Sequence, residues 1–218
     1  MSLPLAYFLT WTCYGQRLHG DERGSVDGDH NIRGTPVLAR DTARQARERA
    51  SMKDDAILLD RIGCPLVDEA IVQLCAERRW LLLARSVRPT HVHVVVNCRG
   101  AIRPERALAQ FKARGTVALR REGLASQDAR LWTRHGSTRW INHSSGLYRA
   151  IVYVNEWQSG TNRAVLEEHK QRVRAQIEEL KRWLRSQGLP EDGRTVVVGE
   201  SSQERAARLT CSELSRRE

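Results

Sequence analysis

The stretch that decides the fold is RPTHVHVVV, residues 88–96. It predicts a strand that begins after a tight turn at Pro89 and alternates histidine with valine. Because successive side chains of a strand point to opposite faces, His91 and His93 share one face and the valines share the other. Two imidazoles on one face can hold one metal ion, although two ordinary histidines on a solvated face fit the same spacing.

Further elements are predicted on both sides of this strand. Residues 80–87 predict the preceding strand, and 65–79 predict a helix with Pro65 in its first turn. Residues 5–12 predict a first strand, 104–121 a second helix and 138–141 a short last strand. This order predicts an α+β fold, a ferredoxin-like β-α-β-β-α-β antiparallel sheet with the two helices on one face.

The remaining segments are polar or strongly charged. Residues 17–63 form a polar insertion, in which 41–53 predict a short exposed helix. After residue 161, apolar side chains at helical spacing within a charged run predict one long amphipathic helix, followed by a tail with the composition of disordered chains. We therefore predict a domain at 1–160 and a charged helical extension at 161–218.

Charge is the informative bulk property. The chain has 36 Lys and Arg against 26 Asp and Glu, for a net charge of +10. Residues 99–149 contain 11 basic and 3 acidic side chains, so this segment alone supplies +8. The excess favours a polyanionic partner, and arginine suits phosphate because its planar donors bind two oxygens at once. A solvated arginine-rich helix is the alternative interpretation.

Composition also excludes several classes of protein. The apolar runs are too short to cross a bilayer, and the first residues lack a signal-peptide pattern, so we expect a cytoplasmic protein without a membrane partner. The 5 cysteines are scattered and never form a Cys-x-x-Cys pair, which argues against a disulfide framework. Cys13, Cys75 and Cys98 are expected to be core residues.

A second stretch, LYRAIVYVNEWQ at 147–158, has helical apolar spacing with Tyr153 off the apolar face. A His-hydrophobic-His strand followed by a tyrosine on a helix resembles the HUH nucleases, in particular the single-tyrosine transposases and their REP-associated relatives. The resemblance extends to residues 6–15, 20–24 and 132–139 and covers about residues 3–160.

This resemblance implies a fold and an activity. The tyrosine helix would follow the last strand, and Tyr153 would attack single-stranded or hairpin DNA to form a 5′-phosphotyrosine link that a second strand end can reverse. His91 and His93 would hold Mg or Mn, the usual ions of the family, whereas imidazole alone favours softer metals. Whether the enzyme is a homodimer stays open.

The family pattern does not settle the third metal ligand. A polar residue one helical turn after the tyrosine is typical of the family, but that position is Trp157 here. Glu156 is about 60° from Tyr153 on an ideal helix, and Gln158 is about 140° away. The resemblance favours Gln158, if the helix loosens before Ser159.

Several basic residues are candidates for DNA binding. They are Lys112, Arg114, Arg134, His135 and Arg139. One alternative function is a non-catalytic hairpin-binding protein derived from such an enzyme. Another is a metal-dependent hydrolase with a water nucleophile, in which His135 or His143 completes the metal site. For Tyr153, the alternative is a tyrosine half packed into the core.

Overall fold

A tight turn joins the two strands predicted at residues 80–97. The computed structural model describes residues 4–22, 24, 38–99, 102–157, 163–186 and 188, in which four strands form an antiparallel sheet in the order β2-β3-β1-β4. They are β1 (Ala6–Thr12), β2 (Leu81–Val87), β3 (His91–Asn97) and β4 (Ser137–Ile141). The histidine strand β3 therefore lies inside the sheet, between β2 and β1.

Five α-helices lie within the described residues. They are α1 (Thr42–Ala50), α2 (Gly63–Arg78), α3 (Pro104–Arg121), α4 (Ser144–Val152) and α5 (Arg163–Ser186). A five-residue π-helical turn, Tyr153–Trp157, continues directly from α4. The predicted α+β class with an antiparallel sheet is confirmed, and α1 is the short helix predicted inside the polar insertion.

Backbone hydrogen bonds hold the turn between β2 and β3. The carbonyl of Pro89 accepts from the N–H of Leu59 at 2.9 Å. The carbonyl of Thr90 accepts from the N–H of Cys13 at 2.8 Å. Since segments from the insertion and from the end of β1 both meet this turn, the first residues of β3 start from a defined position.

The face of the sheet against α2 and α3 is apolar along its length, and we call it the helical face. Alternate residues of β1 and β3 pack there against both helices. The strand residues include Tyr7, Leu9, Trp11, Val92, Val94 and Val96, and they pack with Ile71 of α2 and Phe111 of α3. Trp11 is 1% exposed and stacks on Phe111, with ring centroids 6.2 Å apart. The valines between and after the histidines are therefore core residues.

The opposite face, which we call the mixed face, is divided into an apolar and a polar half. In the apolar half, Phe8, Val95 and Ile141 pack against α4 and α5. The buried residues of α5 recur every three or four positions and are Val173, Ile177, Leu180 and Leu184. The sequence left the position of this helix open, and the structure packs it on the sheet. The polar half begins at His93.

The segment before β4 runs close against β1. The N–H of Thr133 donates to the carbonyl of Thr12 at 3.1 Å. At Gly136, an added Cβ would lie 2.6 Å from the carbonyl oxygen of Thr10. Any larger side chain would push the two segments apart, so glycine is what permits this approach.

The described residues also bear on the expectations about membrane-spanning helices and about cysteines. No helix among them is both long enough and apolar enough to cross a membrane. Cys13, Cys75 and Cys98 are buried without a disulfide, as expected for core cysteines.

Candidate active site

Two histidines of β3 define the site. In the antiparallel register His91 pairs with Thr12 and His93 pairs with Thr10, so these side chains share the mixed face. The imidazole centroids are 4.9 Å apart, with the ring planes at 74°. His93 is only 6% exposed, whereas His91 is half-buried. The expected division of β3 into a core side and a chemistry side thus holds only near the turn, because Val95 on the histidine side is fully buried.

Each imidazole has a hydroxyl partner at the same ring nitrogen. The Oγ1 atom of Thr10 lies 2.8 Å from Nδ1 of His93. The Oγ1 atom of Thr90 lies 2.8 Å from Nδ1 of His91. One hydroxyl comes from the middle of β1 and the other from the turn before β3, so two separate elements orient the pair of rings.

Burial makes His93 a weak base. Desolvation, with smaller effects of the positive charges of His91 and Arg88, lowers the pKa of His93 to about 4. The ring is therefore neutral at pH 7. A neutral imidazole keeps one nitrogen lone pair, which is the form that can act as a ligand.

Tyr153 lies where helix α4 changes its winding. The α-helix ends at Val152, and Tyr153 is the first residue of the π-helical turn, so the stretch with helical apolar spacing is α-helical only to Val152 and π-helical from Tyr153 to Trp157. Packing explains the position, because Ile151 and Val154 on either side of it are at most 1% exposed. Single π turns inside helices are often found at functional sites.

The Tyr153 ring packs directly beside the histidines. Its centroid is 5.6 Å from that of His93, with the planes at 79°, and 6.0 Å from that of Phe8. The side chain is 39% exposed, so the phenol also borders solvent. Tyr153 and both histidines of one chain therefore meet at the boundary between the two halves of the mixed face.

Arg139 brings a positive charge to the same boundary. It pairs with Phe8 in the register of β4 against β1, and its guanidinium carbon lies 5.8 Å from the Phe8 ring centroid. Since Phe8 also contacts Tyr153 and His93, one buried aromatic ring supports three of the predicted site residues.

The other predicted DNA-binding residues lie on α3 and in the segment before β4. Arg134 and His135 are exposed in the segment before β4. The ammonium of Lys112 on α3 donates to the carbonyls of Thr133 and His135, at 2.8 and 2.9 Å, and burial lowers its pKa to about 8. Arg114 pairs with Glu77 of α2. Lys112 is thus hydrogen-bonded to backbone carbonyls, and Arg114 lies on α3, the helix that packs against the helical face.

The donor set supplies part of a metal site. Two imidazoles side by side, one of them the neutral His93, fit a divalent cation that keeps water or phosphate at its other positions. The described part of the chain holds no cluster of three His, Cys, Asp or Glu side chains suited to a metal. Gln158 lies outside the described residues, and so does the side chain of Glu156.

Comparisons with known proteins give a likeness to solved structures. No protein-family model and no curated protein matches the sequence. A solved structure of a REP-associated tyrosine transposase bound to a REP hairpin is similar at a TM-score of 0.41 and 12% identity, over 93% of this chain and 92% of that one. An overlap of this size says nothing by itself about activity.

Sequence reasoning missed three residues that shape the site. Thr90 precedes the histidine motif directly, so its hydroxyl was a visible signal. Thr10 and Phe8 gave none, because their positions beside His93 depend on the register of β1 against β3, 83 residues apart.

Proposed function

We propose that the protein cuts and rejoins single-stranded DNA through a covalent bond to Tyr153, as transposases of the single-tyrosine HUH class do. The observation that carries this proposal is the contact of the Tyr153 ring with His93, which itself lies 4.9 Å from His91 between ring centroids. A tyrosine packed only into the core would have no reason to border solvent beside the buried, neutral His93.

The reaction exchanges one phosphoester for another. The phenolic oxygen of Tyr153 bonds to phosphorus, the bond from phosphorus to the 3′-oxygen breaks, and a 5′-phosphotyrosine remains. The phenol loses one proton and the departing 3′-oxygen gains one. Attack by a second 3′-hydroxyl reverses these steps without ATP, and a phenol with a pKa of about 10 leaves more readily than an alcohol.

His91 and His93 would hold the divalent cation, Mg or Mn, with Gln158 as the third ligand. When bound, the cation would polarise the scissile phosphate and stabilise the charge that builds on it. The buried ring of His93 provides a fixed, uncharged donor, and the nearby guanidinium of Arg139 attracts the DNA backbone without occupying a ligand position.

The wider architecture of this proposal follows the sequence prediction. Residues 1–160 carry the chemistry in a ferredoxin-like arrangement, which the strand order β2-β3-β1-β4 supports. Residues 161–218 form the extension whose helix α5 packs on the apolar half of the mixed face. Arg134 and His135 extend the basic surface that would take a DNA hairpin, in a cytoplasmic enzyme that works alone or as a homodimer.

A covalent-adduct assay tests the proposal directly. The protein is incubated with end-labelled hairpin DNA carrying a single-stranded flank in the presence of Mn²⁺, and the products are separated under denaturing conditions. The wild type should yield a labelled protein-DNA adduct, and Tyr153→Phe should yield none while still binding DNA.

Tyr148→Phe is the matched control. Tyr148 is in the same helix but packs beside Arg174 at 5.7 Å, so its substitution should leave adduct formation intact. If the wild type and Tyr153→Phe both bind the hairpin and neither forms an adduct, the protein is a binding module rather than a nuclease. Cleavage without an adduct would instead indicate a water nucleophile.

The third ligand needs its own comparison. Gln158→Ala should reduce adduct formation at limiting Mn²⁺ and recover with excess Mn²⁺, because a lost ligand weakens cation binding. Glu156→Ala should behave like the wild type. The reverse result would transfer the role to Glu156.

A further inference from the structure

We propose that Thr10 and Thr90 are positioning residues that bind Nδ1 of His93 and of His91, and so direct Nε2 of each ring toward the divalent cation. This inference rests on the proposed function, because that function places the cation between the two histidines. It assigns the ligating atom of each ring and gives two hydroxyls a role in cation binding.

The same contact occurs twice, from two unrelated elements. Both hydroxyl oxygens lie 2.8 Å from the Nδ1 atom of their histidine. Thr10 is directly across the sheet from His93, whereas Thr90 is the neighbour of His91 in the chain. Two packing accidents would not be expected to select the same nitrogen at the same distance.

Both hydroxyls are held in place. Thr10 is in the central strand β1 between β3 and β4, where its carbonyl is approached closely by Gly136. The carbonyl of Thr90 is fixed by the N–H of Cys13. Threonine is branched at Cβ and therefore restricted about χ1, so a fixed backbone limits the directions that the hydroxyl can take.

The chemistry of imidazole makes this arrangement useful. A ring that binds a cation through Nε2 carries its proton on Nδ1, and that N–H donates to an oxygen acceptor. A threonine oxygen at 2.8 Å supplies the acceptor without adding a charge. The ring is then held by one nitrogen and presents the lone pair of the other.

Thr12 provides a matched control in the same strand. It lies on the same face and pairs with His91 in the register, but its hydroxyl is 3.1 Å from the hydroxyl of Thr133. Thr12→Val therefore removes a hydroxyl of the same kind near the site without removing a partner of Nδ1.

The first experiment identifies the ligating nitrogen in the wild type. Zn²⁺ serves as a diamagnetic probe, and long-range proton-nitrogen correlation spectra of labelled protein report each ring nitrogen. Zn²⁺ should shift the Nε2 resonances of His91 and His93 and leave Nδ1 protonated. Zn²⁺ bound at Nδ1, with the proton on Nε2, in either ring would overturn the inference. This test needs no variant and so does not depend on how a variant folds.

The second experiment measures Mn²⁺ affinity from the electron paramagnetic resonance signal of free Mn²⁺, without DNA. Loss of a hydrogen-bond partner of a metal-binding histidine commonly weakens metal binding about 10-fold to 100-fold. Thr10→Val and Thr90→Val should each lose affinity in that range, Thr10→Ser should recover most of it, and Thr12→Val should match the wild type.

The outcomes separate this inference from the proposed function. If the wild type binds Mn²⁺, His93→Ala does not, and both threonine-to-valine variants bind like the wild type, the inference is wrong and the cation site stands. If the wild type binds no cation and Zn²⁺ shifts neither histidine, both are wrong.

Discussion

The two faces of the sheet are built from the same strands but do different work. On the helical face, every alternate residue of β1 and β3 from Tyr7 to Trp11 and from Val92 to Val96 is buried against α2 and α3. On the mixed face, the same strands carry apolar side chains at one end and polar ones at the other. The sheet thus separates stability from chemistry across its thickness and, on one face, also along its length.

The boundary within the mixed face is where the site forms. Phe8 is buried with the apolar half, yet its ring contacts His93, Tyr153 and Arg139. The site residues are held by contact with packed aromatic and aliphatic groups on one side, while the phenol borders solvent on the other. A functional group gains fixed orientation in this way without full burial.

The largest expected effect is a difference in the free energy of unfolding between variants on the two faces of the sheet. Phe111→Ala should lower the free energy of unfolding by about 3–5 kcal/mol, because it removes a buried ring and leaves a cavity. Arg139→Ala should change it by no more than about 0.5 kcal/mol, since the side chain is exposed. Urea unfolding followed by circular dichroism measures both. Equal losses of unfolding free energy would mean that Arg139 on the mixed face contributes as much to stability as Phe111 in the core.

The free energy of unfolding should depend on pH because of His93 on the mixed face. An unfolded chain protonates His93 near pH 6.5, but the folded protein does so only near pH 4. The unfolded state therefore binds more protons between these values, and the free energy of unfolding falls as the pH falls, by about 3 kcal/mol in total. Urea unfolding in the presence of a chelator at pH 7 and 4.5 should show a smaller loss for His93→Gln than for the wild type. Equal losses would contradict the burial of this ring.

Substitution of Lys112 tests whether helix α3 supports DNA binding through the segment before β4. Its ammonium holds the two carbonyls that flank Arg134, so we expect it to support DNA binding through that segment. In hairpin-binding measurements, Lys112→Met and Arg134→Ala should be non-additive, with a coupling of about 1 kcal/mol. Additive losses would instead indicate that Lys112 contacts a phosphate itself.

The smallest expected change in stability concerns the contact between Arg99 and Trp183 of α5. The guanidinium of Arg99 lies 4.5 Å from the ring centroid of Trp183 in α5, and Arg99 has a left-handed backbone with φ of 53°. Arg99→Ala should cost about 0.5–1 kcal/mol, because it removes the cation–π contact and keeps the unfavourable backbone. Arg99→Gly loses the same contact but relieves the backbone, so it should be more stable than Arg99→Ala. Thermal unfolding of the two variants makes the comparison.

Periodic patterns predicted most of the fold. The helix at Pro104–Arg121 agrees with the prediction at both ends, because Pro104 suits a first turn and the apolar spacing is regular. The alternation of histidine and valine predicted the position of β3 equally well. The apolar spacing continues through Val154 and gave no sign of the π turn at Tyr153, whereas loosening of the helix was expected only before Ser159.

For the site, the motif residues were visible but their partners were not. His91, His93 and Tyr153 stand out because their chemistry differs from that of their neighbours. Thr10 is unremarkable in a strand of β-branched and aromatic residues, and only the pairing with β3 gives it a role. Lys112 was predicted to bind DNA from its charge, but charge alone does not reveal a hydrogen-bonded backbone partner.

The distance in sequence between the parts of the site has a consequence during protein synthesis. Thr10 and His93 are 83 residues apart, and the phenol comes a further 60 residues later. A nascent chain therefore carries both imidazoles well before it carries the tyrosine, which joins them only when α4 has left the ribosome and docked. Chains that terminate before Tyr153 cannot assemble the three rings, so the proposed chemistry has to wait until all four strands of the sheet have been synthesised.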